Sequence, residues 1–178
     1  MPTIWFPDTT VICNFGAVDQ IELLNKALAG RGRWTAAVAY EVENSARYLP
    51  QLERLISEGW LGDPIETDQH TVEIENIRFV EFGGTLQDPT KHLGEAQTCF
   101  LIRRSPEFKR AIWITDDVAA YEYGRQIGIT TWSTCTVIEN LVADGDISAE
   151  DGFKLLTQMH NTPDRYVHNM PQRPDDLR

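Results

Sequence analysis

Several features that would mark whole protein classes are missing from this chain. It has no long apolar run of the kind that spans a bilayer. Its opening residues carry no basic segment followed by an apolar stretch, so a soluble, cytoplasmic protein without membrane association is expected. Cysteine is scarce: Cys13, Cys99 and Cys135 are far apart and odd in number, which argues against a disulfide framework and a Cys-x-x-Cys zinc site and leaves buried free thiols as the expectation. His70, His92, His160 and His168 lack a metal-ligand spacing such as His-x-x-x-His, so surface or local structural roles are expected for them. No internal repeat or low-complexity segment is visible. Positive charge is also short, with 16 Lys and Arg against 27 Asp and Glu for a net charge of −11. A domain that grips nucleic acid through its phosphates is usually basic, so a general nucleic-acid coat protein is excluded. Contact with RNA would have to come from metal ions and a small basic patch, such as Arg103, Arg104, Lys109 and Arg110.

What remains is 178 residues, 42% of them hydrophobic, enough for one domain with a substantial core. Residues 3–6 form a short apolar, β-branched run ending at Pro7 and Asp8, which suits a buried strand delivering an acid at its carboxyl end. Val11, Ile12, Phe15, Val18, Ile21, Leu24 and Leu28 then recur at helical spacing until Gly30 and Gly32. Residues 33–35 are expected as a second short strand, with Thr35 capping a helix that carries Glu41. An amphipathic segment with Leu49, Leu52, Leu55 and Trp60 follows, and residues 62–89 read as mixed helix and loop. Residues 92–104 form a clear helix with Glu95 in its first turn, and residues 111–115 a buried strand running into Asp116 and Asp117. A helix to Gly128, a fourth strand at 129–132 and two closing helices complete the pattern. Strands alternating with helices imply an α/β fold, with a short, mainly parallel central sheet flanked by helices on both faces. Residues 1–162 are expected to form this domain, and residues 163–178 an extended or loosely ordered tail.

In such a sheet, functional residues collect beyond the carboxyl ends of the strands. Asp8, Glu41, Glu95 and the pair Asp116-Asp117 are the acids the fold would bring toward one end. Mg²⁺ and Mn²⁺ favour carboxylate and water oxygens, so gathered carboxylates point to metal sites rather than an acid/base pair alone. Each acid has a plain alternative. Asp8, Asp116 and Asp117 can cap helices, Glu41 can face solvent, and Glu95 can complement a helix dipole. The joint pattern, two strand-end acids and two helix acids in one small domain, favours the functional reading. Gathered without metal, these acids repel, so Asp8→Asn or Asp116→Asn is expected to raise the metal-free melting temperature.

The strand and Asp-Thr-Thr-Val of residues 4–11, the Tyr-Glu-Val at 40–42, the Leu-Gly-Glu-Ala-Gln at 93–97 and the Ile-Thr-Asp-Asp at 114–117 resemble the ordered acidic motifs of the PIN-domain family. The Gly-Glu-Ala and Thr-Asp-Asp elements, with Arg125, Gly128 and Ile129, resemble the branch that includes VapC-like toxins. The resemblance implies a PIN-like domain acting as a metal-dependent endoribonuclease on RNA, often a homodimer and often the toxin of a type II toxin–antitoxin pair with a cognate antitoxin. Carried over by position, Asp8, Glu41, Glu95 and Asp116 would be the catalytic quartet. Asp8, Glu95, Asp116 and Asp117 would hold Mg²⁺ or Mn²⁺, and Thr9 and Thr115 would orient ligands through their hydroxyls.

Two other functions compete. A haloacid-dehalogenase-like phosphohydrolase needs a second Asp two residues after its nucleophile, where this chain has Thr10. A catalytically inactive PIN-like module would instead use its acidic face to bind a basic protein, but no needed acid is lost here.

Overall fold

Three parallel strands of three residues each, β1 (Trp5–Pro7), β2 (Ile112–Ile114) and β3 (Thr130–Trp132), form one sheet in the order β1-β2-β3. They come from a computed structural model that describes residues 3–177. Met1, Pro2 and Arg178, at the outer ends of the expected domain and tail, lie outside the described residues. Helices α1 (Thr9–Ala17), α2 (Ile21–Leu28), α3 (Ala36–Ala46) and α4 (Leu52–Ser57) follow β1, while α5 (Thr71–Val80) and α6 (Leu93–Arg104) precede β2. Then α7 (Val118–Gln126) joins β2 to β3, and α8 (Thr134–Ala143) and α9 (Ala149–His160) follow.

β1 and β2 are apolar and fully buried because both faces of the sheet are covered there, while β3 is Thr-Thr-Trp with Thr130 exposed. Alternate side chains point to opposite faces. Trp5, Ile112 and Ile114 enter a core with Phe15, Leu24, Val38, Leu52, Ile138 and Leu156, from α1, α2, α3, α4, α8 and α9. Phe6 and Trp113 enter a second core with Ile74, Ala96, Phe100 and Ala120, from α5, α6 and α7. All three cysteines are buried and free, Cys13 and Cys135 on the first face and Cys99 on the second.

The register sets up everything that follows. Pro7, Ile114 and Trp132 are level across the sheet, so Asp8, Thr115-Asp116 and Ser133-Thr134 all emerge at one edge. Asp8 N–H donates to the Ile114 carbonyl at 2.8 Å and Thr115 N–H to that of Trp132 at 2.9 Å, which pins these residues beside one another.

Two expectations are corrected here, the strand at 33–35 and the loose tail, while the mixed helix and loop expected at 62–89 is what forms. The strand at 33–35 does not form: isolated bridges pair Trp5 with Gly32 and Thr35 with Ile65, and Thr35 turns into a cap, its hydroxyl accepting from Val38 N–H at 3.3 Å. The 62–92 segment resolves into α5 and a loop that closes over Arg78, whose guanidinium donates to the carbonyls of Thr85, Asp88 and Lys91 at 3.1–3.3 Å and pairs with Glu75 at 2.8 Å. The tail has little regular structure but is not loose. Val167 and Leu177 are buried in the first core, and the Tyr166 carbonyl accepts from Asn14 Nδ2 at 2.7 Å.

Gly124 allows α7 to lie directly on the sheet. A Cβ there would stand 2.6 Å from Thr131 Oγ1 and 3.2 Å from the Trp113 ring. Gly124→Ala gains helix propensity of about 1 kcal/mol but overpacks a buried contact at a cost of roughly 1–3 kcal/mol. A net loss is expected, seen as a lower denaturant midpoint with an unchanged slope.

Candidate functional site

At the carboxyl edge of the sheet a cavity of about 580 Å³ is lined by Asp8, Glu41, Glu95, Asp116 and Asp117, together with Thr9, Thr10, Asn14 and residues 164–166. Asp8 occupies the N-cap position of α1 but makes no capping bond. Its Oδ2 instead accepts the hydroxyls of Thr10 at 3.0 Å and Thr115 at 3.1 Å. Asp117 does cap α7, with Oδ1 accepting Ala120 N–H at 2.8 Å, and it faces the cavity as well.

The two glutamates arrive on helices that cross closely. A Cβ on Gly94 would stand 3.0 Å from Val38 Cγ2 and 3.7 Å from both Glu41 carboxylate oxygens, so the missing side chain lets α6 approach α3 without displacing Val38. Ala37 N–H donates to Gln97 Oε1 at 3.0 Å and ties the pair together. Glu41 is therefore not a solvent-facing helix residue, and its Oε2 accepts the Thr9 hydroxyl at 2.5 Å.

Four of these acids form one electrostatic unit. Burial pushes the Glu95 carboxyl up to about 8, with the charges of Asp8 and Asp117 adding to it. Burial likewise raises Glu41 to about 7, and Asp8 and Glu95 add to that. Asp8 is raised by burial and by Asp117, against the pull of its hydrogen bonds from Thr10, Thr9 and Thr115.

Asp116 stands apart from the quartet in which the sequence placed it. Its Oδ1 accepts Thr134 N–H at 3.0 Å and His168 N–H at 3.2 Å, and its Oδ2 accepts Asn14 Nδ2 at 2.7 Å and the Thr134 hydroxyl. Burial raises its pKa and those donors work against the rise. With two donors on each oxygen, Asp116 is a junction that locks α1, α8 and the tail to the strand ends. Its neighbour Asp117 is the acid of that pair with an oxygen close to Glu95.

The sequence reading missed three contributors. His92 stands next to Glu95, its Nδ1 at 3.1 Å from Oε1, and one ligand atom each from His92, Glu95 and Asp117 lie within 4.8 Å of one another. A signal existed in the His92-x-x-Glu95 spacing, which puts both side chains on one side of a helix start. Thr134 and Asn14 carried no comparable signal. The donor set fits a divalent cation of the Mg²⁺ or Mn²⁺ type, with carboxylate oxygens predominating and room for water in an open cavity. Among the described residues, no helix is long and apolar enough to cross a membrane.

No curated protein and no solved structure matches the chain significantly. A family model described as a PIN domain matches residues 4–171, a span that includes every acid of the cavity and the Tyr166 and His168 contacts of the tail. With its parallel three-stranded sheet between two helical layers and its acids at the strand ends, the chain belongs to the PIN-domain family, a family of nuclease-type hydrolases.

Proposed function

We propose that the chain is a metal-dependent endoribonuclease hydrolysing RNA phosphodiester bonds with Mg²⁺ or Mn²⁺. The observation that carries this reading is the unit of Asp8, Glu41, Glu95 and Asp117, held together although burial and mutual repulsion oppose it. A fold tolerates such an arrangement where the charges have work to do. Glu95, Asp117 and Asp8 hold the cation, with Thr115 and Thr10 fixing the Asp8 carboxylate. When bound, the metal supplies Lewis-acid polarisation of a phosphoryl oxygen and a lowered pKa for a coordinated water. Glu41, raised to about 7 and oriented by the Thr9 hydroxyl, exchanges a proton near neutrality and takes it from the attacking water. Arg165, the one cation among the lining residues, meets the substrate phosphate.

The same reading makes the protein the toxin of a type II toxin–antitoxin pair in the cytoplasm, a homodimer with a VapC-like role. Its net charge of −11 suits a basic antitoxin. Purified protein incubated with total RNA and Mn²⁺ is expected to yield fragments, EDTA to suppress them, and Asp8→Asn to cut the rate by on the order of a hundredfold or more. Intact RNA with metal demonstrably bound would overturn the nuclease reading.

A further inference from the structure

We propose that His92 supplies a nitrogen ligand to the metal held by Glu95 and Asp117, so that the centre favours Mn²⁺ over Mg²⁺. The inference rests on the reading of these acids as a metal centre and goes beyond it in assigning a ligand and a selectivity.

His92 occupies the N-cap position of α6 with φ 61° and ψ 17°, a left-handed conformation uncommon outside Gly in which His, like Asn and Asp, is found more often than other residues. It makes no capping bond there, so helix capping does not explain the residue or its backbone. The preceding loop imposes the conformation. Buried Arg78 gathers the carbonyls of Thr85, Asp88 and Lys91, and Leu93 N–H closes a turn on the Thr90 carbonyl at 3.0 Å. The result turns a half-buried imidazole inward toward two carboxylates rather than out to solvent.

A simple ion pair with Glu95 accounts for the 3.1 Å contact but not for Asp117, whose ligand atom lies inside the same 4.8 Å group. Imidazole nitrogen is a poor partner for Mg²⁺, which takes oxygen and keeps its waters. It suits the first-row transition ions, among which Mn²⁺ also accepts carboxylates. One nitrogen among carboxylate oxygens therefore shifts selectivity toward Mn²⁺ without excluding Mg²⁺.

The test uses the full chain loaded with Mn²⁺ and pulsed electron paramagnetic resonance, which registers ¹⁴N coupling from a directly bound imidazole. His92→Asn keeps a residue suited to the left-handed backbone and removes the imidazole, and His92→Gly provides the same test with no side chain. The expected result is ¹⁴N modulation in the parent chain that both variants lose. Calorimetry should show Mn²⁺ affinity falling about tenfold in both while Mg²⁺ affinity changes far less. Bound Mn²⁺ without ¹⁴N coupling, or coupling that survives both substitutions, overturns the His92 assignment and leaves the metal centre standing. If neither ion binds the parent chain, the metal centre itself is overturned, and this inference with it.

Discussion

With divalent metal chelated, Glu95→Gln melts well above the parent chain at pH 8 and level with it at pH 4. Glu95 has an ordinary value of 4.5 that burial, Asp8 and Asp117 raise to about 8 in the fold. Between those two values the folded protein retains a proton that the unfolded chain has released, so stability falls as pH rises through this window. Below it both states are protonated and the carboxyl is nearly isosteric with the amide, which removes the difference. At 1.36 kcal/mol for each unit, and with part of the shift shared among neighbours, the gap at pH 8 should be roughly 2–4 kcal/mol. That corresponds to roughly 5–10 °C in melting temperature for a chain of this size. Glu41→Gln should behave alike with a smaller gap, since that carboxyl is raised only to about 7. Saturating Mn²⁺ reverses the order, because it stabilises the parent by mass action and the variant less. Melting curves across pH with and without Mn²⁺ check the whole pattern, and a variant less stable than the parent at pH 8 in EDTA would contradict it.

Asp116→Ala is expected to have an effect of the opposite sign and similar or greater size. The substitution strips an acceptor from Thr134 N–H, His168 N–H, Asn14 Nδ2 and the Thr134 hydroxyl, all in a buried setting. Each stranded buried donor costs about 1–3 kcal/mol, and allowing for some repair by water the total should be on the order of 3–5 kcal/mol. Asp116→Asn loses less but still sets an amide N–H₂ against donors. It is expected to lower the metal-free melting temperature rather than raise it, which departs from the sequence-based expectation that Asp8 and Asp116 behave alike. Denaturant titration of both Asp116 variants beside Asp8→Asn decides this, because stabilisation by Asp116→Asn is incompatible with the four-donor geometry.

The contrast shows what the sequence could and could not say. Asp8, Asp116 and Asp117 were legible because apolar three-residue strands end just before them, and strand ends in a parallel sheet converge. Glu41 and Glu95 were legible as acids on helices flanking those strands. The division of labour within Asp116-Asp117 was not. It depends on Asn14, 102 positions away, Thr134, 18 away, and His168, 52 away, none of which leaves a periodic trace. His92 left a trace in its spacing to Glu95, but its inward orientation follows from a left-handed backbone set by a loop, which that spacing does not report. The tail escaped because composition near prolines reports little regular structure, which is true of it, and says nothing of a backbone held by an acid elsewhere in the chain.

The way Arg78 holds its loop has a consequence for mutational tolerance. It grips main-chain oxygens of Thr85, Asp88 and Lys91, which every amino acid possesses, and reads no side chain among them. Lys91 can therefore drift in sequence while the path stays the same, whereas Thr85 and Asp88 also hold the loop through their side chains: Thr85 Oγ1 accepts Asp88 N–H at 3.3 Å, and Asp88 Oδ1 accepts the Thr90 hydroxyl at 3.1 Å and Lys91 N–H at 3.2 Å. Constraint also falls on Arg78 itself, on Gly83 with its left-handed φ of 68°, and on Gly84, where an added Cβ would stand 2.7 Å from Arg78 Cγ and 2.8 Å from Nη1. A library randomised across residues 83–91, with Arg78 kept, would be expected to return folded chains that nearly all retain Gly83 and Gly84.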